Sequence, residues 1–288
     1  MPEAAALLAA AGDVPDHAPF YVVRAKVTAQ TPEQDLRRAV VLDPAERTIH
    51  IPLVQYLQDQ GRWEDALDAS SAARDRFPDD FNLDLLHVRA LNETQRFRES
   101  IEIVDEIHVL PSEHASESHR LFADAHTMAA FEALERGDPS EAERHLEIAR
   151  TWPERLGLGR PYEPEERLQR FLLAEAAHAR GDDGAARGAY EAVVASTQAS
   201  GAQVGGAAFS RFDLLAIVAA AELGRGAELG GLGASDDDAV GRIVAAARSA
   251  QNTGGDVRQA VVAAARDEMR LFADVEGRLL YRALALRR

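Results

Sequence analysis

Four histidines in one short stretch raise the question of metal binding, because imidazole is a common zinc ligand. Ligation would need these side chains to converge on one point. The five-residue spacing between His114 and His119 does not put both on one face of a helix, and the chain contains no cysteine to complete a site. We therefore predict no metal and no cofactor, and loop or surface positions for His108, His114, His119 and His126.

Four glutamates near residue 160 raise a second possibility, since glycoside hydrolysis uses two carboxyl groups on opposite sides of a sugar. They are Glu154, Glu163, Glu165 and Glu166, and chance clustering accounts for them in a chain with 48 acidic residues. The loop LGLGRP at 156–161 lacks the third glycine of a dinucleotide fingerprint. No Gly-Lys-Ser/Thr loop or Gly-x-Ser-x-Gly elbow occurs either. We predict no catalytic residue and a protein that is not an enzyme.

The elements that carry these residues are expected to be helices. Ala and Leu dominate the 46% hydrophobic content of the 288 residues, and aromatic residues make up only 6%. Val and Ile occur singly instead of in alternating runs, which favours close-packed helices over strands. The composition therefore predicts an all-α fold.

A repeat appears when the sequence is compared with itself. The segment GRWEDAL at 61–67 contains the small residue Ala66, and another small residue, Ser100, lies 34 residues after it. Pro44 and Pro78 are also 34 residues apart. Small residues at such positions let two helices cross closely. Three helix–turn–helix units therefore share one register across about residues 13–112.

The spacing then lengthens. The segments GDPSEA at 137–142 and GDDGAA at 181–186 repeat the turn at intervals of 42 and 44 residues. We interpret the extra residues as loop insertions at 111–118 and 152–164. Because loops carry specific function more often than the scaffold does, these insertions are expected to matter for function.

This pattern resembles the tetratricopeptide repeat, most specifically at 61–78, whereas the first helices lack that family's Trp-Leu-Gly-Tyr series. The resemblance implies an α-α superhelix, a solenoid of about five helical hairpins. The segments 152–168 and 13–25 are also similar to a bacterial family that joins a mutarotase-like β-sandwich, domain of unknown function 5107, to C-terminal tetratricopeptide repeats. That resemblance implies that this chain is the C-terminal helical part of a carbohydrate-associated protein.

The last third of the chain loses the period but keeps helical patterning. We predict a helix over 209–223, a glycine-rich loop at 224–233, a short helix from about 237 to 250, and a long final helical region from 256 to 287. We divide the chain into repeats at 1–199 and a C-terminal helical cap at 200–288. The cap is expected to cover the last apolar face of the repeats.

The charge limits the classes of partner. A formal net charge of −16 would repel a phosphate backbone or an anionic membrane, so we predict neither nucleic acid nor membrane as a partner. No stretch approaches the roughly 20 apolar residues of a membrane span. The absence of cysteine suits a cytoplasmic location.

Repeat proteins of this type bind partners along the groove that the first helix of each unit lines. The register nominates polar and aromatic side chains there, a set suited to an extended peptide. The set comprises His17, Tyr21, Arg24, Gln55, Gln58, Asn82, Arg89, Asn92, Phe131, Phe171, Glu175 and His178. A merely solvated groove is the alternative. Three further candidates lie at the second insertion, namely Arg160, Tyr162 and Arg167.

The leading functional hypothesis is a non-enzymatic module that binds a protein or peptide, with a mutarotase-like domain of the parent chain as one such partner. The first alternative is a small-ligand or sugar-binding accessory domain, in which the groove or the loop candidates close a pocket. The second alternative is a structural dimerisation module. Residues 256–286 are more apolar than one helix face requires, so they either pack on preceding helices or form a homodimer contact.

Overall fold

The computed structural model describes residues 16–28, 31–111, 116–203, 210–226 and 238–286. Over these ranges the chain is all-α, as predicted, with fourteen α-helices and no strand. In chain order they are α1 (Ala18–Val27), α2 (Pro32–Leu42), α3 (Arg47–Asp59), α4 (Trp63–Arg76), α5 (Phe81–Glu93), α6 (Phe97–Val104), α7 (Ser116–Glu135), α8 (Pro139–Ala149), α9 (Arg167–Ala179), α10 (Asp183–Gln203), α11 (Asp213–Glu222), α12 (Ala239–Thr253), α13 (Val257–Asp267) and α14 (Val275–Leu284).

The chain divides into two compact units. Unit 1 comprises Met1–Leu121 with Glu154–Leu158, and unit 2 comprises Phe122–Pro153 with Gly159–Arg288. Within unit 1, α1 packs on α2, α3 on α4 and α5 on α6. Within unit 2, α9 packs on α10 and α12 on α13. Neighbouring helices therefore pack in pairs. The domain boundary predicted at 199/200 lies within α10.

The turns between paired helices have one repeated geometry. Gly61, Gln95, Gly137 and Gly181 have φ angles of 67°, 62°, 78° and 77°. In each case the next residue donates its backbone N–H to the carbonyl five residues earlier, as from Arg62 to Leu57 at 2.9 Å. This is the Schellman arrangement, in which a left-handed residue ends the helix and satisfies its last carbonyls. The turns lie where the sequence register placed them.

The same helix end continues past the point where the sequence period is lost. Gly224 and Gly254 have φ angles of 70° and 72°. Arg225 donates to the Ala220 carbonyl, and Gly255 donates to the Ala250 carbonyl, both at 2.8 Å. The repeated local unit in the last third is thus the helix end itself, which a search for a fixed period does not detect.

Exchanging the residue types at two of these turns tests whether backbone conformation alone sets the contribution of each turn to the free energy of unfolding. Gln95→Gly is expected to raise the free energy of unfolding by about 0.5–1 kcal/mol, because a non-glycine residue in the left-handed region costs about 1–2 kcal/mol and glycine's extra unfolded-state entropy offsets part of it. Gly61→Gln is expected to lower it by a similar amount, and no steric clash should add to this loss because a Cβ there meets nothing within 4 Å. Urea denaturation measures both, and a loss of stability in Gln95→Gly would contradict the explanation.

Small residues occupy the helix crossings of the repeats. Ala66, Ser100 and Ala142 are fully buried, and Ala186 is nearly so. Each donates its backbone N–H to the carbonyl of the residue four positions earlier, at the start of the second helix of its pair. The side chains lie where a larger group would separate the helices, as the register predicts.

The C-terminal region differs from the prediction of one long helix over 256–287. It consists of α13, a 3₁₀ segment at Met269–Phe272, and α14. The break comes from Asp274, whose carboxylate accepts the Gly277 backbone N–H and caps a new helix. The N-cap of α12 is Asp238. Residues 227–237 lie outside the described residues, and they include most of the glycine-rich segment and the predicted helix start at Asp237.

Candidate functional site

Unit 1 keeps part of the predicted groove set at its surface. The side chains of His17 and Gln55 are exposed, and those that are half-buried are Tyr21, Arg24, Asn82 and Arg89. They lie on α1, α3 and α5, which are the first helices of three pairs, and His17 immediately precedes α1. Helix α3 contacts both α1 and α5. We call the set formed by Tyr21, Gln55, Asn82 and Arg89 the first-helix face.

Two charged groups on these helices have defined partners. The Arg89 guanidinium lies 5.9 Å from the centroid of the Trp63 ring and 3.8 Å from the Glu117 carboxylate. Arg24 donates from Nε to Asp35 Oδ2 at 2.8 Å and lies 5.0 Å from the Tyr21 ring centroid. These cation–π contacts hold long side chains in place on the surface, which reduces the entropy lost when a partner binds.

Two predicted groove residues are interior and have a structural role. Gln58 and Asn92, which are 34 residues apart, are 3% and 0% exposed. Gln58 donates from Nε2 to the Leu86 carbonyl at 2.7 Å, and Asn92 donates from Nδ2 to the Leu121 carbonyl at 3.1 Å. Each amide thus joins one first helix to the next. Because they face the neighbouring helix, neither amide offers surface to a partner, which corrects their assignment to the groove.

Three predicted groove residues of unit 2 are also interior. Phe131 and Phe171 are fully buried and Glu175 is 3% exposed. For Phe171 and Glu175 the physical reason is that α9 packs against α11 and α14 as well as α8 and α10, which covers this part of its first-helix face. Arg282 of α14 lies over the Phe131 ring with 4.9 Å to its centroid. His178 alone in this part of the set is exposed, 3.7 Å from the Asp183 carboxylate.

Glu175 belongs to a buried ionic cluster that no sequence pattern indicated. Arg258 Nη2 donates to Glu175 Oε1 at 2.6 Å and pairs with Glu222 at 3.0 Å. The Tyr190 hydroxyl donates to the same Glu175 oxygen, and the Arg258 guanidinium lies 5.3 Å from the Phe171 centroid. Burial by itself would lower the pKa of Arg258, but the charge and hydrogen bond of Glu175 raise it overall, so the guanidinium stays charged.

The three candidates at the second insertion do not converge. Arg160 donates to Glu166 Oε1 at 2.9 Å, while Tyr162 is 98% exposed. Arg167 is buried and pairs with Glu165 and with Asp213. This arrangement corrects the expectation of a pocket closed by these residues, because the two arginines are held by separate contacts and the tyrosine ring lies in solvent.

The acidic residues near this loop are used in ion pairs. Glu166 is 5% exposed and pairs with Arg150, Arg160 and Arg170. Glu165 pairs with Arg167 and also accepts its backbone N–H. Through these ion pairs, Glu165 and Glu166 fix the loop to the start of α9.

The histidines form no metal cluster within the described ranges, and His114 lies outside them. His108 is exposed, with Nδ1 3.0 Å from the Glu106 carbonyl. His126 instead is 1% exposed, which corrects the expectation of a surface position, and its Nδ1 lies 3.0 Å from His145 Nδ1.

The described part of the chain also contains no helix of the length and hydropathy that a membrane span requires.

The fold and these surfaces define an all-α protein of paired helices. Comparison of the chain with known protein families gives no match. Comparison with curated proteins gives no match either.

Proposed function

We propose that this protein is a non-enzymatic interaction module of the tetratricopeptide type, which binds a protein segment on the first-helix face of unit 1. The observation that carries the proposal is that this face stays solvent-accessible across α1, α3 and α5, while a repeated internal contact holds the helices in register. A rigid row of helices with polar and aromatic side chains suits an extended peptide.

The composition of the face supports a peptide over a folded apolar surface. Gln55 and Asn82 carry amides that can pair with the backbone of an extended chain, and Arg89 and Tyr21 add a cation and a ring. None of the four lies in the hydrophobic core. A formal charge of −16 over the chain favours basic or neutral segments. We further propose a cytoplasmic setting, which suits a chain without cysteine.

Two other partners follow from the sequence. The family resemblance implies a mutarotase-like domain of a parent polypeptide, which the first-helix face could contact. A homodimer through 256–286 has less support, because Val261, Leu280 and Leu284 are fully buried inside unit 2. The apolar character of that region is explained by packing within the chain, with Met269, 45% exposed, as an exception.

A selection from random peptides tests the proposal, because it identifies a binding segment directly. Random linear peptides displayed on phage are selected against the full chain and then measured against two double variants. Gln55→Ala/Arg89→Ala alters the first-helix face, and we expect about a tenfold weaker Kd because anchor contacts contribute about 1 kcal/mol or more. Gln34→Ala/Arg76→Ala removes the same residue types from exposed positions on α2 and α4 and should leave the Kd unchanged.

Equal affinity for both double variants would exclude the first-helix face as the binding site. Failure to enrich any peptide would count against the interaction module itself. We also expect the selected peptides to be neutral or basic and to bind more weakly as salt rises, since exposed charges are screened. Purely acidic peptides with no salt dependence would refute the electrostatic part of the proposal.

A further inference from the structure

Unit 2 contains a cavity of about 430 Å³ between α13 and α14. This volume falls within the range of small-molecule sites, about 300–1,000 Å³. The wall on α13 includes Gln259, Val262 and Arg266, whose spacing of three, four and seven residues puts them on one helix face. Tyr281 on α14 completes the polar part of the wall.

Three polar side chains of this wall are not used by the fold. Over the described ranges, the Arg266 guanidinium, the Gln259 carboxamide and the Tyr281 hydroxyl have no hydrogen bond or ion pair. Within the described ranges most arginines are ion-paired, as Arg242 is with Glu268 at 2.5 Å. A guanidinium, an amide and a phenol beside one cavity are all donors that a carboxylate accepts from.

Arg258 connects this cavity to the buried ionic cluster of unit 2. It lines the cavity, yet only 7% of the residue is exposed. Its Nη2 is taken by Glu175 and Glu222, but Nε and Nη1 are buried with no acceptor among the described residues. Because both nitrogens are fully buried, they do not face the cavity, and the donors open to a ligand are those of Gln259, Arg266 and Tyr281.

The charges near the cavity are distributed unevenly. The two carboxylates of Glu175 and Glu222 outweigh the single positive charge of Arg258. Asp256 carries a negative charge at the first residue of this wall, where its carboxylate caps the Gln259 backbone N–H. Arg266 follows ten residues later, about 15 Å along a helix at about 1.5 Å per residue. The end near Arg266 is therefore positive, and Val262 and Ala263 form an apolar stretch between the two ends.

We propose that this cavity binds a monocarboxylate with an apolar body, its carboxylate on Arg266 and its carbon chain along Val262 and Ala263. The carboxylate could belong to a free short-chain acid or to the C-terminus of a peptide. A dicarboxylate fits less well, because its second charge would approach Asp256. This site is independent of the first-helix face in unit 1.

Ligand-observed NMR and calorimetry with the full chain test the site. The probes are hexanoate, hexanamide, and the peptide acetyl-Gly-Leu-Leu with a free or an amidated C-terminus. We expect one or both carboxylates to bind with a Kd on the order of 1 mM or tighter. Each matching amide should bind at least about tenfold more weakly, because a charge-assisted hydrogen bond is lost. The acid that binds more tightly identifies the source.

Two variants locate the site. Arg266→Gln should weaken carboxylate binding about tenfold, while Arg270→Gln, which removes an exposed arginine outside the cavity wall, should change it less than about twofold. Arg266 is exposed and has no ion pair among the described residues, so both variants should keep the wild-type melting curve. Equal binding of acids and amides, equal effects of the two substitutions, or no binding of either acid would each overturn the proposal.

Discussion

Phe131→Ala is expected to lower the free energy of unfolding by about 3–5 kcal/mol, the usual cost of truncating a fully buried phenylalanine. The side chain is 0% exposed and lies beneath the Arg282 guanidinium. The loss is large because it combines the transfer free energy of the ring with the cavity left in a close-packed interior. Chemical denaturation followed by circular dichroism measures it, against total stabilities of about 5–15 kcal/mol for ordinary domains.

The matched control is Tyr162→Ala. Tyr162 is a ring of similar size but 98% exposed, so its removal should change the free energy of unfolding by less than about 0.5 kcal/mol. Comparison of Phe131→Ala with Tyr162→Ala shows whether Phe131 is a core residue or a groove residue. A groove residue would behave like Tyr162 in stability and would change partner binding instead. A small loss in Phe131→Ala would restore the groove assignment.

Glu175→Gln is expected to cost about 3 kcal/mol of the free energy of unfolding. Removal of one partner from a buried ion pair typically costs about 3–5 kcal/mol, because the other charge stays buried without compensation. The lower end applies here since Glu222 still pairs with Arg258 at 3.0 Å. Glutamine has the size of glutamate and keeps one acceptor oxygen. The loss in the free energy of unfolding therefore reflects the removed charge more than any change in packing.

A double variant distinguishes the charge from general damage to the cluster. Glu175→Leu/Arg258→Met removes both buried charges with similar volumes and should recover at least half of the loss measured for Glu175→Gln. The cycle of single and double variants gives the coupling energy of the pair. If the double variant were the least stable of the set, the ion pair would contribute net stability, and the loss in Glu175→Gln would not come from an under-compensated buried cation.

The local features of the fold could be predicted from the sequence. The turns at Gly61, Gln95, Gly137 and Gly181 follow from the spacing of glycines and small residues, and their helix ends share one backbone geometry. Such features depend on only about six consecutive residues, so a linear pattern contains them. Gln95 shows the limit, since the position keeps the conformation of a glycine without being one.

The long-range features could not be predicted. Arg258 and Glu175 lie 83 residues apart and meet only because α13 and α9 both pack near α11. The register placed Phe171 and Glu175 on the open groove face, and nothing in the residues of α9 indicates which distant side chains cover that face. Gln55 stays exposed on α3, which also has four neighbouring helices, whereas Phe171 and Glu175 on α9 are covered by Tyr190 of α10 and Arg258 of α13.

By itself, then, the sequence determined the helical class, the helix ends and the small residues at the crossings, because these are set by backbone conformation and by contacts close along the chain. Only the tertiary structure decided which nominated side chains face solvent, which amides join successive helices, and where arginines keep donors for a ligand. These depend on which distant segments pack against each side chain, a property of the packing of the whole unit. The cavity beside Arg266 belongs to this second kind, since α13 and α14 form its walls together.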